Sequence, residues 1–258
     1  KNHKALQLAR LFYSLVMISK TQLKTLSSYK HQKFCDQDGL FVVEGVKMVD
    51  EVLTAKLTVR SLCATAEWMA THPTANAIEV SEEELARLSG LKAPNQVWAL
   101  CERNFTPHTE GSSPLILALD HLQAPGNLGT IIRTADWFGI RTIICSTDTV
   151  SCFNPKVVQS TMGGLFRTQI IYTDLEAWLR SCQRPICGAL LDGDNVYTTP
   201  LPQNAVLVIG NESKGISQPI RQLVTHKLLI PNIGGTCESL NAGIATGILV
   251  SEFARSKQ

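Results

Sequence analysis

Apolar and polar positions fall into short blocks along the chain, and the blocks change character near Asn104. Before it, Leu40 to Glu44 (LFVVE) is a compact apolar run of strand type. Gly45 to Leu53 follows as a helix, with Val46, Val49 and Leu53 at the three- and four-residue spacing of one face. Arg60 to Ala64, Ala77 to Val80 and Gln96 to Cys101 read as further strands. Ser81, followed by Glu82, Glu83 and Glu84, reads as an N-cap with acids in the first helical turn. These blocks predict a small α/β domain within residues 1–103. Residues 104–114 (NFTPHTEGSSP) are rich in Pro, Gly, Ser and Thr without apolar periodicity, the pattern of a linker.

From residue 115 to 258 the pattern is different. Leu115 to Leu119 (LILAL) is continuously apolar, as expected of a parallel strand covered on both faces. Thr142 to Cys145, Ile186 to Leu191, Val206 to Ile209 and Lys227 to Ile230 are further strand candidates. Asn127 to Phe138, Leu175 to Cys182, Ser217 to Val224 and Asn241 to Arg255 are the helices between and after them. Alternation of this kind predicts a doubly wound α/β domain with a parallel sheet and a ligand at the carboxyl ends of the strands.

Charge sharpens the first domain. The net charge is +2, yet residues 1–35 hold Lys1, Lys4, Arg10, Lys20, Lys24, Lys30 and Lys33 and no acid. A basic end on a slightly acidic body suits an arm that meets phosphate, or simply a solvated helix. Eight cysteines form no CxxC pair and six histidines are scattered, so zinc-ligand spacing is absent and no metal is expected. Thiols without a disulfide framework, no visible signal peptide and apolar stretches far short of a membrane span predict a soluble, cytoplasmic protein. The 18% share of charged residues hints at surface buried between subunits.

Three loops after strands carry the candidate chemistry. Residues 120–135 (DHLQAPGNLGTIIRTA) place a Pro-Gly turn before Asn127, a potential helix cap, Gly129, which permits close backbone approach, and Arg133. Residues 207–217 (LVIGNESKGIS) set Gly210 and Glu212 after an apolar strand and match neither a Walker A loop nor GxGxxG. Residues 230–242 (IPNIGGTCESLNA) place Ser239 and Asn241 before a helix of small residues. Either could be that helix's N-cap, which accounts for one polar residue and not for the whole cluster. Gly243 and Gly247 lie one turn apart and would let this helix pack closely on neighbouring backbone.

Together the loops resemble the three motifs of the SpoU/TrmH family in the SPOUT class of RNA methyltransferases. Asn127-x-Gly129-x3-Arg133, Gly210-x-Glu212-x2-Gly215-Ile216 and Ile230-Pro231-x2-Gly234-x4-Ser239-Leu240-Asn241 occur in the family's order and at similar spacing. Residues 153–158 (FNPKVV) and 161–167 (TMGGLFR) also look like the family, and residues 39–53 (GLFVVEGVKMVDEVL) resemble its ribosomal-protein-like RNA-binding domain. Ala124 stands where many members carry Asp, and Asn241 is followed by Ala-Gly-Ile-Ala rather than the commoner Val-Ser or Val-Ala.

The resemblance implies a C-terminal SPOUT α/β trefoil-knot domain, a homodimer, and S-adenosylmethionine as cofactor. It implies methyl transfer to a ribose 2′-hydroxyl of RNA, ribosomal rather than transfer RNA. The alternatives are a transfer-RNA 2′-O-methyltransferase and a non-catalytic RNA-binding or ribosome assembly factor on the same fold. By the same analogy the cofactor lies against Gly210, Ile230 and Leu240, with Ala242 and Thr161 nearby. Asn127, Arg133, Glu212, Ser239 and Asn241 carry the chemistry, Asn127 by orienting Arg133 or the ribose and Glu212 by anchoring a loop or pairing with an Arg. Since a guanidinium stays protonated in proteins, Arg133 fits a phosphate clamp and oxyanion stabiliser better than a general base. Lys20, Lys24, Lys30 and Lys33 would contact the RNA.

Overall fold

The structure is a computed structural model that describes residues 18–105 and 113–256. The chain divides into two compact units, Lys1–Phe105 and Thr106–Gln258. Lys1, Lys4, Arg10 and most of the expected linker lie outside the described residues.

The first unit holds helices α1 (Lys20–Ser28), α2 (Gln32–Asp38), α3 (Val46–Thr54), α4 (Ala66–Thr71) and α5 (Glu82–Leu88) and strands β1 (Leu40–Glu44), β2 (Val59–Ala64), β3 (Ile78–Glu79) and β4 (Val97–Glu102). The strands form one sheet in the order β1-β4-β2-β3, with β4 antiparallel to both its neighbours. Leu23 and Leu26 from α1, Leu85 and Leu88 from α5, and Val42, Trp98 and Leu100 from the sheet share one core. The Ser81 cap is present as a full capping box, Ser81 Oγ accepting from Glu84 N while the Glu84 carboxylate accepts from Ser81 N. The buried face of α3 differs from the expected one. It is Met48, Val49 and Val52, whereas Leu53 is exposed, because the apolar residues of this segment admit two overlapping faces and packing against the sheet selects one.

Glu44 ends β1 as a buried carboxylate. It accepts hydrogen bonds from Ser89 Oγ and from Gly90 N, the latter at 3.0 Å. Burial pushes its pKa above the usual range, against the pull of those two donors and of Lys30.

The second unit contains β5 (Leu115–Leu119), α6 (Pro125–Trp137), β6 (Thr142–Ser146), α7 (Pro155–Thr161), β7 (Gln169–Thr173), α8 (Leu175–Ser181), β8 (Ile186–Asn195), β9 (Ala205–Ile209), α9 (Gln218–Arg221), β10 (His226–Leu229) and α10 (Ala242–Arg255). Its six strands form one sheet in the order β10-β8-β9-β5-β6-β7, and every pairing is parallel. β9 is buried at all five positions, as continuous apolar strands between two helical layers must be. Ile144, Leu175, Leu179, Ile186, Val208 and Ile220 form a core on the α8 and α9 side. The order places the ends of β10, β8, β9 and β5 side by side, so the loops that follow these strands emerge together.

Close helix contact on the other side depends on Gly129. A Cβ there would stand 2.4 Å from Ser160 Cβ and 3.1 Å from the Val157 carbonyl, so α6 meets α7 only with hydrogen at this position. Gly243 plays a milder part, with Thr130 3.2 Å from where a Cβ would be, whereas Gly247 has open space and is not a packing glycine. The helix expected over residues 217–224 is only the four residues of α9, and α7 and β7 are additions to the sequence reading. Among the described residues no helix is long and apolar enough to cross a membrane.

Candidate functional site

Three loops meet through side chains. Pro125 takes the first position of α6, its fixed φ and missing N–H suiting a helix start, and Ala124 is the N-cap residue. Asn127 is therefore inside the first turn and caps nothing, contrary to the sequence reading. Its amide is free to reach outward. Asn127 Nδ2 donates to Glu212 Oε1 at 2.9 Å, and Asn127 Oδ1 accepts from Asn241 Nδ2 at 2.8 Å. Glu212 Oε1 also accepts from Ala124 N at 3.3 Å. Asn241 Oδ1 turns back and accepts from Gly243 N and Ile244 N at 2.9 and 3.2 Å, capping α10. Asn241 is thus both the N-cap and the link to Asn127. Each amide uses donor and acceptor at once, which fixes its orientation.

This relay joins the loop before α6, the loop after β9 and the start of α10. Within this chain Asn127 meets Glu212 and Asn241 and not Arg133, while Glu212 ties its own loop to the start of α6 through Asn127 and Ala124, the loop-anchoring half of the expectation for it. Arg133 is exposed on α6 and makes no hydrogen bond or ion pair among the described residues. Two turns from the relay, it presents an uncommitted guanidinium. Ser239 is likewise exposed and its hydroxyl makes no bond among the described residues.

The loop after β9 is closed tightly. A Cβ on Gly210 would lie 2.2 Å from the carbonyl carbon of Gly215 and 2.3 Å from Ile216 N, so backbone fills the place of a side chain. Asn211 and Gly215 pair across the loop, and Asn211 Oδ1 accepts from Ser213 N and Lys214 N as an Asx turn. Asp120, directly after β5 and fully buried, accepts from Ser217 N at 2.7 Å, and Asn211 Nδ2 donates to the His121 carbonyl at 2.7 Å. His121 adopts a left-handed φ of 54° and pairs with Asp148. Desolvation opposes ionisation of Asp148, yet hydrogen bonds from His121 and Ser146 hold its carboxyl below the usual range. The outer side of this loop borders a cleft of 660 Å³ whose walls include His121, Gln123, Lys214 and Arg221. Sequence reasoning missed Asp120 and Asn211. Their signals were an acid placed directly after five apolar residues and an Asn beside the strand-ending glycine.

The expected cofactor residues are dispersed in burial. Gly210 and Ile230 are half-buried at the ends of β9 and β10, which flank β8. Leu240 is 50% and Ile233 94% exposed, a pair of apolar side chains without a core to enter. Ala242 is buried as the first residue of α10. Thr161 is buried at the end of α7 and its hydroxyl donates to the Val158 carbonyl, so it offers no free donor. On the first unit, Lys20 and Lys24 are exposed on α1; Lys30 donates to the Ala86 carbonyl at 3.3 Å, and Lys33 stands 4.8 Å from the Phe34 ring. All eight cysteines are thiols, and among the described residues no group of three or more His, Cys, Asp or Glu is placed to hold a metal.

Known proteins are similar to this chain over nearly its whole length. Residues 114–251 match the SpoU rRNA methylase family model and residues 20–99 the MRM3-like substrate binding domain. The chain is 27% identical over 246 residues to 23S rRNA (guanosine(2553)-2′-O)-methyltransferase RlmP of Bacillus subtilis, covering 88% of this chain and 98% of that protein. An S-adenosylmethionine-bound rRNA methyltransferase structure from Sinorhizobium meliloti superposes with a TM-score of 0.80 at 28% identity, over 94% of this chain and 97% of that one. A protein assigned to the TrmH family of RNA methyltransferases, from Porphyromonas gingivalis, superposes at 0.81 with 39% identity over 93% and 99%. Matched by that family model over more than half its length, the chain belongs to the SpoU rRNA methylase family.

Proposed function

We propose that this protein transfers a methyl group from S-adenosylmethionine to a ribose 2′-hydroxyl of ribosomal RNA. The observation that carries the reading is the Glu212–Asn127–Asn241 relay, which holds the loops after β5, β9 and β10 in one arrangement. The residues present fit the cofactor. The loop at Gly210 has no room for a side chain and so offers backbone, Ile230 ends the strand on the other side of β8, and exposed Leu240 and Ile233 supply apolar wall. When bound, S-adenosylmethionine supplies a methyl group already activated on a sulfonium.

The chain's own residues must place the ribose oxygen and stabilise the charge that develops on it. Arg133, exposed and unpaired among the described residues, is the group for a phosphate and for that oxyanion. Ser239 brings an uncommitted hydroxyl beside the relay for the ribose. Asn127, Glu212 and Asn241 hold the loops rather than move protons. The first domain, residues 1–103, selects the RNA through Lys20, Lys24, Lys30 and Lys33, phosphate contacts positioning it and unpaired bases specifying it. Residues 104–114 link it to the methyltransferase domain at 115–258. A homodimer is part of this reading. Trp137, 84% exposed at the end of α6, and Ile244, 55% exposed on α10, are apolar surface for a second copy, and a monomeric mass at micromolar concentration would count against it. Cysteines kept as thiols and an RNA substrate fit a cytoplasmic setting.

The test is transfer of labelled methyl to bacterial RNA lacking the modification, followed by mapping of ribose methylation. Label at one 2′-oxygen, lost in Arg133→Ala, supports the proposal. If Arg133→Lys keeps most of the rate, a plain positive charge suffices. No label on ribosomal RNA, assembly intermediates or transfer RNA, despite cofactor binding, would make the chain an RNA-binding or assembly factor.

A further inference from the structure

The loop that carries Glu212 is gripped at both ends by one dipeptide. Its near end is held by Asn211 Nδ2, which donates to the His121 carbonyl at 2.7 Å. Its far end is held by Ser217 N, which donates to Asp120 Oδ2 at 2.7 Å. Between these points the loop has little freedom, since Asn211 and Gly215 pair with each other and Gly210 abuts Gly215 and Ile216. The dipeptide is itself rigid. Asp120 N donates to the Ile209 carbonyl, His121 N donates to Ser146 Oγ, and the His121 ring pairs with Asp148.

The choice of residue at 120 is costly. The carboxylate is fully buried, and Oδ1 accepts no hydrogen bond and stands 3.4 Å from His121 Nε2. Leaving one oxygen of a buried carboxylate without a bonded donor is unfavourable. Capping Ser217 alone would need only a neutral acceptor such as Asn or Ser. What the charge adds is a stronger bond to the loop and a second attraction on His121, whose carbonyl holds the loop's other end.

We infer that Asp120 is a positioning residue for methyl transfer, acting with Asn211 to clamp both ends of the loop that presents Gly210 to the cofactor and Glu212 to Asn127. The inference rests on the cofactor reading above. It places no group of Asp120 on the substrate, and the effect runs through the loop.

The experiment compares Asp120→Ala, Asp120→Asn and Asn211→Ala with the wild-type chain. It reads the S-adenosylmethionine Kd, the single-turnover rate at saturating cofactor and RNA, the KM for RNA, and Tm. Loss of one hydrogen bond to a charged acceptor is expected to weaken cofactor binding about tenfold in Asp120→Ala and to slow turnover by a similar factor. Asp120→Asn keeps an acceptor for Ser217 N and is expected to stay within about threefold of wild type. Asn211→Ala releases the other end and should repeat the Asp120→Ala pattern, with the KM for RNA unchanged in all three. A lower Tm with unchanged Kd and single-turnover rate would show a purely structural residue and overturn the inference. If Asp120→Ala does not fold, Asn211→Ala decides, and wild-type binding and turnover in that variant overturn the clamp. Absence of cofactor binding by the wild-type chain would instead overturn the cofactor reading, and this inference with it.

Discussion

Replacing Asn127 by Asp tests the relay with almost no change of shape. At neutral pH the new carboxylate still accepts from Asn241 Nδ2, but the donor to Glu212 is gone and two carboxylates face each other across the 2.9 Å now spanned by a hydrogen bond. Their repulsion at that separation is about 1 to 6 kcal/mol for an effective dielectric between 80 and 20. Both groups are partly open to solvent, so the lower part of that range applies, and about 2 kcal/mol corresponds to roughly 30-fold in rate. Asn127→Ala loses the same donor without adding charge and is the control. The two variants separate as pH falls. Paired carboxylates bind one shared proton well above the ordinary carboxylate range, and the protonated member can donate to the other. Single-turnover methyl transfer at saturating RNA and cofactor, measured from pH 8.5 to 5.5, should therefore show the ratio of the Asn127→Asp rate to the Asn127→Ala rate rising about tenfold toward low pH. Taking the ratio cancels any pH dependence of the ribose hydroxyl itself. A flat ratio, or an Asn127→Asp rate within twofold of wild type at pH 8, would refute the relay as a determinant of the site.

Gly210→Ala puts a methyl group onto the Gly215 and Ile216 backbone, so cofactor binding should fall more than tenfold while the buried β9 stays protected in hydrogen exchange; normal affinity would place the cofactor elsewhere. Glu44 has a raised native pKa, so its folding contribution is complete below the unfolded-state value near 4.5 and is lost as pH rises through the native one. Amide protection in β1 and β4 should accordingly decline over that window in wild type and stay level in Glu44→Gln; parallel profiles would remove Glu44 as the cause. Neutralising Lys20, Lys24, Lys30 and Lys33 together should weaken RNA binding and flatten its salt dependence by about 0.7 to 0.9 in slope per lost phosphate contact, with no change in cofactor Kd. An unaltered slope would take these lysines out of the interface.

The strands of both units could be read from the chain because uninterrupted apolar runs such as Leu115–Leu119 and Ala205–Ile209 have few other ways to hide from water. Their order could not. That β9 pairs with β5, 90 residues earlier in the register Leu115 to Ala205, is decided by packing between distant segments that no local pattern encodes. Helix ends failed where two local rules competed. Asn127 is an excellent cap in isolation, but Pro125 occupies the first helical position and pushes Asn127 inside. At α3 the apolar spacing admitted two faces, and tertiary contact selected Met48, Val49 and Val52. The site residues Asn127, Glu212 and Asn241 came from the motif pattern, yet the pairing among them did not, because an amide's orientation follows from partners on other loops. Asp120 was hidden for another reason: its partner, the backbone N–H of Ser217, lies 97 residues away and carries no side-chain signature.

The relay closes over very long stretches of chain, Glu212 meeting Asn127 across 85 residues and Asn241 meeting Asn127 across 114. Contacts at such separation form after local structure, since the entropy of closing the loop is lost before the bond is gained. The last partner, Asn241, also opens α10, the last of the described helices. During synthesis from the N-terminus, the first unit is therefore made well before the relay can close. A chain released at residue 240 should bind RNA and turn over nothing, and detectable methyl transfer from it would contradict this. The relay is thus out of reach of any chain that stops short of Asn241, however completely the rest of the sheet has folded.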